Sequence, residues 1–430
     1  MDLGALALAH TEFVLDLYKE VAKRAPDENA VLSPLSIGLA MAMVAAGATG
    51  TTLHQIASCL KLPPGDLMHE FTAHLKDVLT ADAPTHGLQL TCANRIWVDN
   101  TVHLQPSFQN LLQKSYGAKA ASVDFSKAEE ACERVNKWAE YKTHGKIAKV
   151  LPPDSVGSDT RLILANAIYF KGTWKKPFHA SMTEDRDFFL PNGTTIKVPT
   201  MHSTDDQCVI SYPPPVYSRW TREYSVVSTI VDPSKPSSEN PVHRTVEPSN
   251  AVTDYAGPPF KALRLPYHIS NNPRSFSMIV LLPNDRNGLR EMEENLDIHS
   301  LVKGLEFDKP RPLTRFQLPK FKVSFGMEMA EALQSLGMER VFSSLADLGA
   351  MCDQSPLSVA SVRQKAFVEV NEQGTEAAAV TTVQIVAECG PMHSDEVDFV
   401  ADHPFMFLIR EESSNSVVFT GRVVDPSKEQ

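Results

Sequence analysis

EQGTEAAAVTTVQIVAECGPMHSDEVDFV, residues 372–400, is the least ordinary stretch of this 430-residue chain. Gly374 leads into Thr375, Glu376 and the three alanines Ala377, Ala378 and Ala379. Two backbone readings fit. In one, Thr375 caps a helix that the alanines propagate. In the other the segment alternates with period two. One face is then Thr375, Ala377, Ala379, Thr381, Val383 and Ile385. The other is Glu376, Ala378, Val380, Thr382, Gln384 and Val386. The first face is small and then apolar, so it can slip between two existing strands. Glu376 is the one charge between Thr375 and Ala387, and it lies on the second face.

Working outward, helical periodicity marks the early part of the chain. Phe13, Val14, Leu17, Tyr18 and Val21 share a face, and Val31 to Leu53 reads as a buried core helix. Ser126 and Glu129 have the spacing of a capping box, before a helix with Val135, Trp138 and Ala139 inward that ends near Gly145. Strand patterns follow at Arg161–Phe170, Phe276–Leu282, Arg315–Phe325, Pro404–Arg410 and Val417–Val424. A helix from Glu328 to Leu336 stops at Gly337. Helices first and strands later, without alternation, point to an α+β fold. Residues 213–259 break the pattern, with nine prolines from Pro213 to Pro259 among many Ser, Thr and Asn. They read as a long surface loop within a single domain, 1–430.

The net charge of −11 and the lack of any Lys/Arg block argue against nucleic-acid or anionic-membrane surfaces. The start, MDLGALALAHTEF, lacks the charge and apolar length of an export signal, so a cytoplasmic or nucleocytoplasmic location is expected. The six cysteines (59, 92, 132, 208, 352, 389) stand singly and read as reduced thiols. No GxxxxGK, HExxH or GxSxG occurs, so neither enzyme, cofactor nor metal is expected. Asn192-Gly193-Thr194 matches a glycosylation sequon but reads better as a hairpin turn.

Several stretches together resemble the serpin family, most nearly its plant members. They are LSPLSIGLAMAMVAAGATGTT (32–52), NAIYFKGTW (166–174), VEVNEQGTEAAA (368–379), DFVADHPFMFLIRE (398–411) and FTGRVVDP (419–426). The resemblance implies a serpin fold of three β-sheets with about nine helices and an exposed reactive-centre loop, roughly residues 374–397. It implies a monomeric suicide substrate for serine, or cysteine, endopeptidases, with no catalytic residues of its own. A protease attacks the loop and forms an acyl-enzyme, and the cut loop inserts into the central sheet before hydrolysis. The hinge would be Glu372, Gly374, Thr375, Glu376, Ala377, Ala378, Ala379, Val380 and Thr381. A non-inhibitory storage or binding protein on the same fold is the rival reading.

Family spacing forward from Gly374 and backward from Asp398 both place the reactive bond at Glu388–Cys389. No Lys or Arg occurs from Glu372 through Ile409, so trypsin-like pockets are poor partners. The expected target accepts Glu388, or Ala387 by a one-residue shift. Cys389 is read as a small tolerated residue, its thiol blunted by Glu388. The family's sheet-opening cluster is matched by Ser33, Ser36 and Asn166, while Gln364 stands where histidine is usual. A glutamine still donates and accepts. Residues 213–259 replace a tight connection between 208–211 and 261–265. Lengthening such a loop from about 4 to about 46 residues costs only about 2 kcal/mol in closure entropy.

Overall fold

In a computed structural model the described residues are 3–79, 88–205, 207–212, 257–268, 274–297, 305, 307, 310, 313–353, 357–375 and 398–428. They form eight α-helices and three sheets. Glu388, Cys389, the hinge from Glu376 to Thr381 and most of 213–259 lie outside them.

One six-stranded sheet runs Ala30–Leu32, Val417–Val423, Phe405–Glu411, Phe276–Pro283, Phe260–Pro266, Cys208–Tyr212, every pair antiparallel. Three of its four inner strands, those from Val417, Phe405 and Phe276, are buried at every position. Such continuous burial, apolar apart from Ser277, Arg410, Glu411, Thr420 and Arg422, is what a sheet covered on both faces shows. A four-stranded sheet runs Phe399–Val400, Phe316–Pro319, Thr195–His202, Glu184–Phe189. The main sheet runs Phe321–Glu328, Ser361–Asn371, Gly374–Thr375, Leu162–Thr173, Leu88–Asp99, Ala120–Val123. Helix Pro34–Ala45, buried along its whole length, packs against both six-stranded sheets. Helix Ala128–Lys142 lies on the other face of the main sheet, where Val135, Trp138 and Ala139 meet Trp97, Tyr169 and Phe367 in a separate apolar cluster.

Three sequence expectations change. Val31–Leu53 is not one helix. It begins as strand Ala30–Leu32, turns at Ser33 into helix Pro34–Ala45 and restarts as helix Gly50–Cys59. Pro34 at the first helical turn fits the break, since its missing N–H is an orphan there anyway. Arg315–Phe325 is two strands, Phe316–Pro319 and Phe321–Glu328, in different sheets, switching after Pro319. The capping box does not form: the helix starts at Ala128 after Lys127, and Ser126 Oγ donates to Asp124 Oδ1 (2.5 Å) instead. Asn192-Gly193 does sit in a hairpin turn. Leu190 N–H donates to Thr194 O (2.8 Å), with Gly193 at φ +82°.

Tyr212 and Phe260 are direct partners in the antiparallel ladder. The chain thus leaves for 213–259 and returns at adjacent points of one hairpin. Five described cysteines, Cys59, Cys92, Cys132, Cys208 and Cys352, are free thiols. Among the described residues no helix is long and apolar enough to cross a membrane, and no group of three or more His, Cys, Asp or Glu is placed to hold a metal.

Candidate functional site

The candidate site is a seam in the main sheet. From Ser361 to Phe367 one strand pairs in parallel with Ile163 to Tyr169 of the other, in the register Gln364↔Asn166 and Phe367↔Tyr169. Above Phe367 the seam is open. The chain turns at Glu372-Gln373 and re-enters as Gly374–Thr375, antiparallel to both walls. Thr375 pairs with Val370 on one side and Gly172 on the other. The start of the 372–400 stretch is therefore strand, already seated between two others, and the helix reading is overturned at Thr375.

Residue chemistry explains the turn. Gly374 sits at φ +148°, where L side chains rarely go, and a Cβ would overlap the Gly172 carbonyl and lie 2.6 Å from Thr173 Cα. Gln373 N–H donates to Asn371 Oδ1 (3.0 Å). Backbone N–H groups of Trp174 and Phe178 donate to the carbonyls of Gln373 (2.8 Å) and Glu372 (2.7 Å). The Glu372 carboxylate accepts from Thr183 Oγ1 (2.8 Å) and pairs with Lys320 Nζ (3.0 Å). Burial alone would push this carboxyl up. Its own backbone N–H, Thr183 and Lys320 together outweigh that and hold it below the ordinary carboxylate range.

Thr375 is fully buried, and its hydroxyl shares a 2.7 Å hydrogen bond with Tyr267 Oη. The Tyr267 ring stacks on Trp174 (4.7 Å) and meets Phe170 edge-on (4.9 Å). Trp174 Nε1 donates to Asn371 O (2.9 Å), closing the top of the seam. Neither Trp174 nor Tyr267 was singled out by sequence reasoning. Tyr267 follows strand Phe260–Pro266 in a neighbouring sheet, and nothing local to it signals the hinge.

Halfway down, the four expected cluster residues come together. Gln364 Nε2 donates toward Asn166 Oδ1 (2.7 Å), Ser33 O (3.0 Å) and Ser36 Oγ (3.0 Å), while its Oε1 accepts from Ser33 N–H (3.1 Å). Ser36 Oγ bonds Asn166 Oδ1 (3.0 Å), and Asn166 Nδ2 donates to Asn94 Oδ1 (2.6 Å). Ser33, Ser36, Asn166 and Gln364 are all at most 2% exposed. Glutamine thus spans the seam and ties both walls to the start of helix Pro34–Ala45. Asn94, and Cys92 beside it (Asn94 Nδ2 to Sγ, 3.4 Å), extend the cluster beyond what sequence suggested. Burial pushes the Cys92 thiol up to about 12. The seam therefore has a wedge of two residues at its top and a network of uncharged polar groups across its middle.

The profile of the family described as "Serpin (serine protease inhibitor)" matches residues 8–215 and 244–426. Serpin-ZX of Hordeum vulgare is 37% identical over 434 aligned residues, covering 98% of this chain and 97% of its own length. Serpin-Z10 of Arabidopsis thaliana is 36% identical, with both chains covered completely. Among solved structures, Arabidopsis AtSerpin1 in its native stressed conformation matches at TM-score 0.81 and 34% identity over 100% of both chains. Uncleaved ovalbumin matches at 0.76 and 26%, over 98% of this chain and 100% of its own. With the family profile covering most of its length and plant relatives matched nearly end to end, the chain belongs to the serpin family.

Proposed function

We propose that this protein is an irreversible, suicide-substrate inhibitor of serine, and by extension cysteine, endopeptidases. Family membership supports protease inhibition in general and a protease as partner. The observation that carries the finer reading is the register of Gly374 and Thr375. Carried forward residue by residue, it brings Ala377, Ala379 and Thr381 onto the inner face of the main sheet. Glu376, Ala378 and Val380 go to the outer face. In that register Thr381 arrives between Gln364 and Asn166, bringing a hydroxyl to the groups whose mutual hydrogen bond it displaces. Small side chains enter where the walls are close, and a polar one arrives where the walls are polar. Insertion is then downhill, because the new strand replaces one parallel ladder with two antiparallel ones.

The reactive bond is assigned to Glu388–Cys389, and the target to an endopeptidase whose pocket takes glutamate or, one residue earlier, alanine. A carboxylate in a pocket built for a cation would be buried beside another acid, at a penalty of several kcal/mol. Residues 213–259 are assigned as a loop outside the fold, since their ends are ladder partners.

The test is to incubate the protein with a panel of endopeptidases, including a glutamate-preferring, an elastase-like and a trypsin-like enzyme. The expected result is an SDS-stable complex with one of the first two, and a rise in thermal stability after loop cleavage. Cleavage without complex and without a gain in stability would overturn the proposal in favour of a non-inhibitory member. Rapid trapping of the trypsin-like enzyme through this loop would overturn the bond assignment.

A further inference from the structure

We infer that the ring pair Tyr169–Phe367 is the gate that sets how fast a strand enters the seam. The inference rests on the insertion reading above and concerns its rate. Phe367↔Tyr169 is the last register pair of the parallel seam, immediately below the fork opened by Gly374–Thr375. An entering strand must part this pair before any other. The two rings lie on the outer face, under helix Ala128–Lys142, with centroids 6.1 Å apart at a 39° tilt, and both are buried. Lys322 Nζ stands 5.9 Å from the Phe367 ring, on the side away from Tyr169's strand.

Below the rings the outer face offers little resistance. Ala167 and Ala165 face Lys365 and Arg363 across the seam, and an alanine methyl makes no comparable contact. Neighbouring strands lie about 4.8 Å apart, so admitting one more strand roughly doubles the spacing between the walls. Two rings joined across a single spacing lose contact at that separation. The inner face carries the polar cluster at Gln364, three residues further down. The seam thus opens in two stages, an aromatic one at the fork and then a polar one.

The experiment follows uptake of a synthetic peptide with the sequence of residues 375–386 by the intact, uncleaved protein, which needs no protease. Aromatic contacts of this kind predict roughly three- to tenfold faster uptake in Tyr169→Ala and Phe367→Ala. The double variant should be no faster than the faster single, because one contact is lost in all three. Tyr169→Phe keeps the ring and should stay at the wild-type rate. Phe367→Leu keeps apolar bulk without a ring and should fall between. It also serves if the alanine variants do not fold. Leu408→Ala, buried on the face of the closed sheet opposite to Phe407, controls for general destabilisation and should not accelerate uptake. Unchanged rates in every ring-removing variant, acceleration by Tyr169→Phe, or additive acceleration in the double variant would each overturn the gate while leaving insertion standing. Wild-type protein that neither takes up peptide nor gains heat resistance after cleavage would remove the insertion reading itself, and the gate with it.

Discussion

The two six-stranded sheets of this molecule are joined in opposite ways. In the sheet centred on Phe405–Glu411 every neighbour is antiparallel and three of the four inner strands are buried at each position. In the main sheet the two walls of the seam meet in parallel, a pairing slightly weaker per residue. That junction is bridged by uncharged polar groups at Gln364 and topped by the two-residue wedge Gly374–Thr375. One sheet is finished. The other, in the proposed mechanism, is closed on itself by contacts that an entering strand replaces. The difference separates what holds the fold together from what the fold holds ready.

The sharpest way to break the comparison is Ala377→Arg. A guanidinium on the inserting face should abolish covalent complex formation, read as loss of the SDS-stable band, with the midpoint of thermal unfolding of the uncleaved protein unchanged. Unchanged stoichiometry of inhibition would show that this face never enters the seam. Leu408→Ala should do the reverse. Its side chain is buried in the closed sheet on the face away from the seam, so about 2–5 kcal/mol of unfolding free energy should be lost in denaturant titration while complex formation persists.

Gln364→Ala is expected to cost less, about 1–3 kcal/mol, by stranding Ser33 N–H and leaving Asn166 Oδ1 with Ser36 Oγ alone. It should also speed peptide uptake, because the second stage of the gate is gone. Ser33, Ser36, Asn94, Asn166 and Gln364 do not titrate, and the Cys92 thiol is pushed up to about 12, so seam opening in the wild type should be flat between about pH 5 and 9. Gln364→His should introduce a pH dependence, since a buried imidazole must charge as pH falls below about 6. Peptide-uptake rates across that range check both statements.

The smallest effect belongs to Glu372. Its carboxyl lies below the ordinary range in the folded protein, so its contribution is complete above about pH 4.3 and fades as pH falls through the lower folded value. The carboxylate keeps only partial solvent contact (12% exposed), but its partner Lys320 is 37% exposed and screens the pair, so the effect should be modest. Protection from hydrogen exchange at the Trp174 and Phe178 amides, which bind the carbonyls of this turn, should fall only at acidic pH in the wild type. In Glu372→Gln the protection should be lower at neutral pH too.

Much of the seam was legible because its requirements are local. A run of small residues after a glycine is visible without a fold, and Ser33, Ser36, Asn166 and Gln364 were placed by motifs whose order the family shares. What stayed hidden depends on partners distant in sequence. Strand Leu88–Asp99, next to the central strand, was missed because Asn94 falls on its apolar face and Ala93 and Trp97 on its polar one. In the fold, Asn94 is needed for the polar cluster, and Arg95 lies over the rings of Trp97 (5.3 Å) and Trp138 (5.1 Å). The apolar run Arg315–Phe325 reads as one strand because a chain that changes sheets keeps its hydrophobic pattern. The Thr375–Tyr267 bond joins residues more than a hundred positions apart, and no periodicity announces it.

Trp174 gives the hinge an optical handle. Its indole is stacked on Tyr267, bonded to the Asn371 carbonyl and adjacent to the only two hinge residues seated in the seam among those described. The remaining tryptophans are Trp97 and Trp138, packed together where helix Ala128–Lys142 meets the main sheet, and Trp220. Any passage of the loop past Thr375 must disturb the surroundings of Trp174 first, so its emission can time the event without a label.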